Sequence, residues 1–314
     1  MVSYFLRRLL AAVPVMFFVA LFVFLLLRLA PGDPAQMILG DQATPDQLAA
    51  IREHLGLNQP LPQQFLHWLA NVLSGDFGTS LISSRPVLDM IGQRLGPTLA
   101  LALVAMGLTV IISVPLGVLA AWQHTKLIDR AIMVFSVVCF SVPIFVIGYV
   151  LIGLFAVELN WFPVQGYKPL ADGVGAFASR IFLPGLALAS IYIALVARMT
   201  RASMLEVLRE DYVRTARAKG MAESIVLFRH ALRNAAIPIL TVIGTGFAMM
   251  VSGVVVTETV FNIPGLGRLV VDAVLARDYP LIQAIILLTA GTYVVINLLV
   301  DLSYAITDPR IRYQ

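Results

Sequence analysis

Residues Thr98–Trp122 read TLALALVAMGLTVIISVPLGVLAAW, 25 consecutive positions without one ionisable side chain. A helix rising about 1.5 Å per residue crosses the roughly 30 Å hydrocarbon core of a bilayer in about 20 residues. Lipid offers the backbone no hydrogen-bond partner, so a spanning segment must be helical or close into a barrel. Barrel strands would be about 10 residues long and alternate in polarity, which this run does not. The stretch is predicted to be a transmembrane helix.

Five further apolar stretches lie around it, near Leu9–Leu29, Ala131–Val157, Phe182–Ala197, Ala235–Val256 and Leu281–Tyr304. The composition agrees, with 59% hydrophobic and only 13% charged residues in 314, against about 25% charged in soluble domains. The predicted fold class is all-α integral membrane with six transmembrane helices. Several spans carry Pro or Gly, as at Pro115, Gly117, Pro143, Pro238, Gly244, Gly246 and Gly253. Such residues permit close helix packing and kinks, or mark a moving pathway.

Charge placement sets the orientation, because Lys and Arg collect in cytoplasmic loops. Arg7 and Arg8 precede the first span, Lys126 and Arg130 follow the second, and Arg310 and Arg312 lie in the tail. Between spans four and five stand eight bases, Arg198, Arg201, Arg209, Arg214, Arg217, Lys219, Arg229 and Arg233, against four acids. The segment from Pro31 to Pro97 reverses the balance, with six acids against three bases. Both termini are therefore expected in the cytoplasm. The net charge of +4 reports topology rather than nucleic-acid binding. Arg7-Arg8 before an apolar run also describes a signal peptide. Its spanning length, with no small-x-small pair before the Pro31-Gly32-Asp33-Pro34 turn, predicts an uncleaved anchor. The single cysteine, Cys139, excludes a disulfide framework and a Cys-ligated zinc site.

The outer segment carries helix signals. Thr44 is a predicted N-cap with Pro45 at the first helical position and Gly56 as the stop. A second helix, about Pro62–Ser74, places Phe65, Leu66, Leu69, Val72 and Leu73 on one face; that face either lies on the membrane or packs against the spans. His54 and His67 lack neighbouring carboxylates in ligand spacing, so no metal site is expected.

The segment Arg198–Arg233 reads RMTRASMLEVLREDYVRTARAKGMAESIVLFRHALR. Its first half is predicted to continue span four as an amphipathic helix, with Met204, Leu205, Leu208 and Tyr212 on one side. Gly220 can supply the positive φ that stops a helix. A second short helix with Ile225, Phe228 and Leu232 then leads into span five. Periodicity alone describes a solvated basic hairpin attracted to anionic lipid.

The string Glu210-Asp211-Tyr212-Val213-Arg214-Thr215-Ala216-Arg217-Ala218-Lys219-Gly220, followed by His230-Ala231-Leu232-Arg233-Asn234-Ala235, resembles the cytoplasmic loop of permease subunits of bacterial ABC importers for dipeptides and oligopeptides, within the peptide/opine/nickel group. Supporting strings are Pro31-Gly32-Asp33-Pro34, Thr257-Glu258-Thr259-Val260-Phe261-Asn262-Ile263-Pro264-Gly265-Leu266-Gly267-Arg268, Arg277-Asp278-Tyr279-Pro280 and Asp308-Pro309-Arg310-Ile311-Arg312. The likeness runs from residue 4 to residue 313. Aligned on Gly220, the Glu-Ala-Ala triplet of the general EAA loop falls on Arg214-Thr215-Ala216. His230-Ala231-Leu232-Arg233 stands for the usual Ile-x-Leu-Pro, and both replacements look like the peptide branch. Ile263 replaces the family's usual aromatic.

The resemblance implies a type I ABC importer (MetI-like) transmembrane fold. It divides the chain into an N-terminal span with an extracytoplasmic helical segment (1–97), a core (98–306) containing the coupling loop 198–233, and a tail (307–314). It implies coupling to ATPases through Glu210, Asp211, Tyr212, Arg214, Ala216, Arg217, Lys219, Gly220, His230, Leu232 and Arg233. The implied partners are a second homologous permease, two ATP-binding subunits that hold ATP and Mg, and an extracytoplasmic peptide-binding protein, in the bacterial inner membrane. Pro143, Gly244, Gly246, Gly253 and Glu258 are placed near the pathway. No catalytic residue, metal or cofactor is assigned to this chain.

The residues support that role. No G-x-x-x-x-G-K-[ST] string exists to cradle nucleotide phosphates, so energy must come from elsewhere. Span centres lack the paired ionisable groups of ion-coupled carriers; Glu158, Glu258 and Asp301 lie near span ends. No H-E-x-x-H or G-x-S-x-G string suggests an intramembrane enzyme. Substrate alternatives are glutathione, nickel complexes, opines or sugars, because specificity rests mainly with the binding protein. With Cys139 replaced, a cysteine at position 48 should label from outside and one at position 223 only from inside. Labelling of position 48 from the cytoplasmic side would refute the topology.

Overall fold

The structure, a computed structural model, describes residues 2–29, 44–54 and 58–307. The sequence readings at Pro31-Gly32-Asp33-Pro34, Gly56, Arg310 and Arg312 lie outside the described residues. Among the described residues the regular structure is helical, with one isolated bridge between Thr79 and Pro86.

The N-terminal span is α1 (Val2–Leu29). Next come α2 (Pro45–His54) and α3 (Leu61–Leu73). Thr44 caps α2 reciprocally: its Oγ1 accepts from the Gln47 N–H at 3.4 Å, and its own N–H donates to Gln47 Oε1 at 3.0 Å. Helix α3 lies against α1 through a cluster in which the Phe65 ring stands 5.3 Å from that of Phe24, and Trp68 stands 5.7 Å from Phe24. The expected apolar face is therefore split, for Phe65 is buried while Leu66 and Leu73 are exposed.

Helices α4 (Val87–Trp122) and α7 (Val174–Val207) are 36 and 34 residues long, about 50 Å each at 1.5 Å per residue. Both overshoot the bilayer core. The seam between them is lined by small side chains, with Ala105, Ala121, Gly185, Ala189 and Ala197 buried. At Gly117 an added Cβ would sit 2.5 Å from Thr200 Cβ and 2.7 Å from the Ala197 carbonyl. Two lipid-embedded helices gain little from hydrophobic transfer and associate through such close contact. Around this pair stand α10 (Ala236–Gly253), α11 (Val255–Val260), α12 (Leu266–Leu275) and α13 (Tyr279–Thr307). The central core joins Leu101, Leu188, Ile193, Met250 and Ile263.

Bends fall within the expected third span and at the head of the fifth. The third comprises α5 (Leu127–Ser141) and α6 (Ile144–Glu158), which meet at 105°. Pro143 lacks an N–H and drives Val142 into an extended conformation (φ −84°, ψ 126°), so the helix cannot run through. The fifth begins at a bend, for the short helix expected before it, α9 (Glu223–Asn234), wound as a π-helix over Val226–Ala231, meets α10 at 65°. Among the described residues four helices are long and apolar enough to cross a membrane, or up to six if each bent pair is one span.

The ends are pinned by carboxylates. Arg8 pairs with Asp301 (Nε–Oδ2 2.7 Å), tying α1 to α13. Asp278, 2% exposed, accepts from the Ser80 hydroxyl and from the Leu81 N–H at 3.1 Å. Glu258 is fully buried. Its Oε1 accepts from Thr98 Oγ1 at 2.5 Å and its Oε2 from the Arg268 N–H at 3.0 Å. Thr98 Oγ1 in turn accepts from the Leu266 N–H at 2.8 Å. That carboxylate clasps the 261–268 turn onto α4.

The α4–α7 seam should tolerate no added methyl. Gly117→Ala is expected to destabilise by about 1–3 kcal/mol through overpacking. Gly107→Ala, with nothing within 4 Å of the new carbon, should cost nothing and gain up to about 1 kcal/mol of helix propensity. Thermal denaturation of both variants in detergent checks this, and equal midpoints would contradict the seam.

Candidate functional site

At the end of α7, which stays packed through Met204, the chain turns at Leu208–Glu210 into α8 (Asp211–Ala218). Sequence periodicity predicted one continuous helix through Tyr212. The break arises because Arg209 and Glu210 bond back only three residues, to Glu206 and Val207 (3.2 and 3.1 Å), and Glu210 is extended. Helix α8 is eight residues long, too short to be stable alone in water. Tertiary contacts hold it: Val213, Ala216 and Val226 form a small core with Leu208 and Met221 against it.

Gly220 terminates α8 at φ +75°. The Met221 N–H bonds to the Ala216 carbonyl at 3.3 Å and the Gly220 N–H to the Arg217 carbonyl at 2.9 Å, the crossed pair of a Schellman motif. Nothing lies within 4 Å of a Cβ built on Gly220, so space does not select glycine here. The left-handed backbone does.

Helix α9 returns antiparallel to α8. Arg217 clamps the turn with Nη2–Oε1 2.7 Å and Nε–Oε2 3.2 Å to Glu223. Both partners are exposed enough that the pair contributes at most about 1 kcal/mol. Tyr212 Oη accepts from Asn234 Nδ2 at 2.7 Å, joining the first helix to the end of the second. Leu227, Ala231 and Ala235 pack with Val118, Val196 and Met204, so the hairpin is seated on α4 and α7 and runs directly into α10.

The predicted coupling residues thus gather on one hairpin. Glu210 starts α8, and Asp211 pairs with Arg214 at 2.8 Å on its exposed face. Ala216 is buried, Arg217 is in the clamp, and Lys219 is exposed beside Gly220. His230 and Leu232 are half-buried and Arg233 is exposed. The outward face also presents Tyr212, Ile225 and Phe228, the last 52% exposed. Large apolar groups beside Arg214, Lys219 and Arg229 make a surface suited to a protein partner.

The pathway positions do not converge. Pro143 forms the α5–α6 break. Gly244 abuts Val300 and Gly246 abuts Tyr192, serving helix packing, while nothing stands within 4 Å of a Cβ at Gly253. The Glu258 carboxylate is occupied by its clasp. A cavity of about 590 Å³ lies between α1, α4, α12 and α13, lined by Met16, Leu99, Val270, Leu288 and Tyr293. Pro143, Gly244, Gly246, Gly253 and Glu258 do not line it.

Sequence reading missed a buried ion cluster at the root of the hairpin. Arg201 Nε and Nη2 donate to Asp129 Oδ1 and Oδ2 at 2.6 and 2.8 Å. Arg201 stood only as one of several topology-setting bases, and Asp129 lies 72 positions away. A lone acid in the first turn of an apolar helix on a basic face was the available signal.

Residues 113–313 match the family described as binding-protein-dependent transport system inner membrane component, and residues 1–102 match that described as its N-terminal membrane component. The chain is 56% identical over 310 residues to a probable peptide ABC transporter permease protein of Sinorhizobium fredii, covering 99% of each. It is 45% identical over 314 residues to the glutathione transport system permease protein of Escherichia coli K12, covering 100% of each. Its fold matches a chain of the inward-facing MetNI methionine ABC transporter, with TM-score 0.59, 15% identity, and coverage of 70% of this chain and 96% of that one.

Proposed function

The chain belongs to the family of binding-protein-dependent transport system inner membrane components, a membrane permease of an ABC importer, and from that premise we propose that its hairpin is the dock for separate ATPase subunits. The observation that carries this reading is the seating of α8–Gly220–α9: a small, closed hairpin, rooted in α4 and α7 and continuous with α10, with basic and apolar groups facing out. A push on such an element is delivered to two long helices at once.

In this reading the chain is non-catalytic, and ATP and Mg are held by two partner subunits. A second permease completes the pathway, an extracytoplasmic binding protein delivers the solute, and both termini face the cytoplasm of a bacterial inner membrane. Segment 1–97 is the peripheral unit and 98–306 the transport core, with 307–314 a tail. The substrate class is di- and oligopeptides, supported by the Sinorhizobium relative. Glutathione, itself a small peptide, is the second reading, supported by the Escherichia relative. Pro143 and the Gly244–Gly253 region border the moving part of the core, whereas Glu258 serves by holding the 261–268 turn in place.

The test is uptake by vesicles holding this chain with its permease partner, ATPases and binding protein, against di-, tri- and longer peptides and glutathione. Gly220→Val places a β-branched residue in left-handed backbone, costing about 1–2 kcal/mol. Membrane levels should be unchanged, while uptake and substrate-stimulated ATP hydrolysis fall at least tenfold. Gly220→Asn, which tolerates that conformation, should keep more activity. Uptake by Gly220→Val at the unmodified rate would refute the hairpin's coupling role.

A further inference from the structure

The hairpin's root holds a second attachment that the docking reading does not use. Arg201 lies on α7, six residues before that helix ends at Val207. It reaches sideways to Asp129, in the first turn of α5, through two charge-assisted bonds of 2.6 and 2.8 Å. Asp129 is 3% exposed, and a carboxylate so placed is kept ionised only by its partners. The Thr125 N–H donates to its Oδ2 at 3.0 Å, from a left-handed residue with φ +69°. His124 Nδ1 lies 3.3 Å from that oxygen and 3.1 Å from Arg201 Nη2, closing the cluster over the α4–α5 turn.

The position of this cluster is what gives it a role. Helix α5 runs unbroken from Leu127 to Ser141, about 20 Å, and ends at the 105° break around Pro143. A bidentate guanidinium–carboxylate pair fixes angle as well as distance, so α5 is tied to the part of α7 that carries the hairpin. A second contact follows one turn earlier on α7, where Arg198 Cζ stands 5.2 Å over the Phe140 ring at the far end of α5. We infer that Arg201 and Asp129 are positioning residues that transmit displacement of the hairpin into α5 and so to the Pro143 break. This adds a transmission arm beside the continuous paths through α7 and α10. The inference rests on the hairpin being the moving dock.

The test uses the complete reconstituted transporter, with Cys139 replaced. Spin labels at Ala218 on α8 and at Val134 on α5 are each paired with one at Leu275 in the 266–275 helix. Distances are read without nucleotide and in a trapped ATP state. In the unmodified complex both distances should change. Asp129→Asn keeps the volume, and Arg201, whose side chain retains 23% exposure, can turn to water. With it, the Ala218 distance should still change while the Val134 change disappears, and solute imported per ATP hydrolysed should fall at least fivefold. The double variant Asp129→Asn with Arg201→Gln leaves no unpaired charge and should behave the same, which a folding defect from a lone charge would not. Arg201→Lys, keeping charge but losing the fork, should restore part of the ratio. A Val134 change that persists in both neutral variants would overturn the inference while leaving the dock intact. An Ala218 distance that does not respond to nucleotide in the unmodified complex would remove the docking reading, and this inference with it.

Discussion

The contact between α4 and α7 is the constraint on which the other features depend. Lipid gives two helices little reason to associate, because transferring apolar groups from lipid to protein gains almost nothing. Approach close enough for dispersion and tight backbone packing has to do the work, and it requires small residues along the seam. Gly117 against Thr200 and the Ala197 carbonyl is the tightest point, and Gly185 against Val104 and Leu108 continues it. With that pair fixed, the last turns of α7 are held in the cluster that seats the hairpin. The hairpin is placed by that cluster of Val118, Val196, Met204 and Leu227.

Breaks in the helices then acquire meaning from where they fall. A helix interrupted in hydrocarbon exposes backbone groups that lipid cannot satisfy, so interruptions are tolerated where protein or water covers them. Within the spans they stand at Pro143 and between Gly253 and Val255. Each adjoins a piece that the Proposed function requires to shift. The elements that must stay still are pinned by carboxylates instead: Asp278 on the 80–81 turn, Glu258 on Thr98 and the 267–268 backbone, and Asp301 on Arg8. Charged groups are scarce in this chain, and several of them are spent on fastening.

Much of this was readable beforehand because lipid imposes a strong rule on sequence. Uninterrupted apolar runs located the spans, and Lys219-Gly220 after an amphipathic stretch located the hairpin's turn with its positive φ. Other features were hidden for identifiable reasons. Proline within a span allows anything from a mild kink to a break, so Pro143 did not disclose a 105° bend. The end of α7 at Val207 left no proline or glycine to mark it. The resemblance placed Glu258 near the pathway; its bonds run to the Thr98 hydroxyl and to backbone amides, partners that no side-chain pattern reveals. Asp129 and Arg201 meet only through the fold.

The central claim is that the α8–α9 hairpin is the surface on which the ATPases sit. Hydrogen exchange of the assembled transporter, compared with this permease pair lacking its ATPases, addresses it directly. The account predicts that amides of residues 211–234 exchange at least tenfold more slowly in the assembled complex, with the peptides containing Tyr212, Ile225 and Phe228 most affected. Unchanged exchange across 211–234 in a complex that demonstrably retains its ATPases would contradict it.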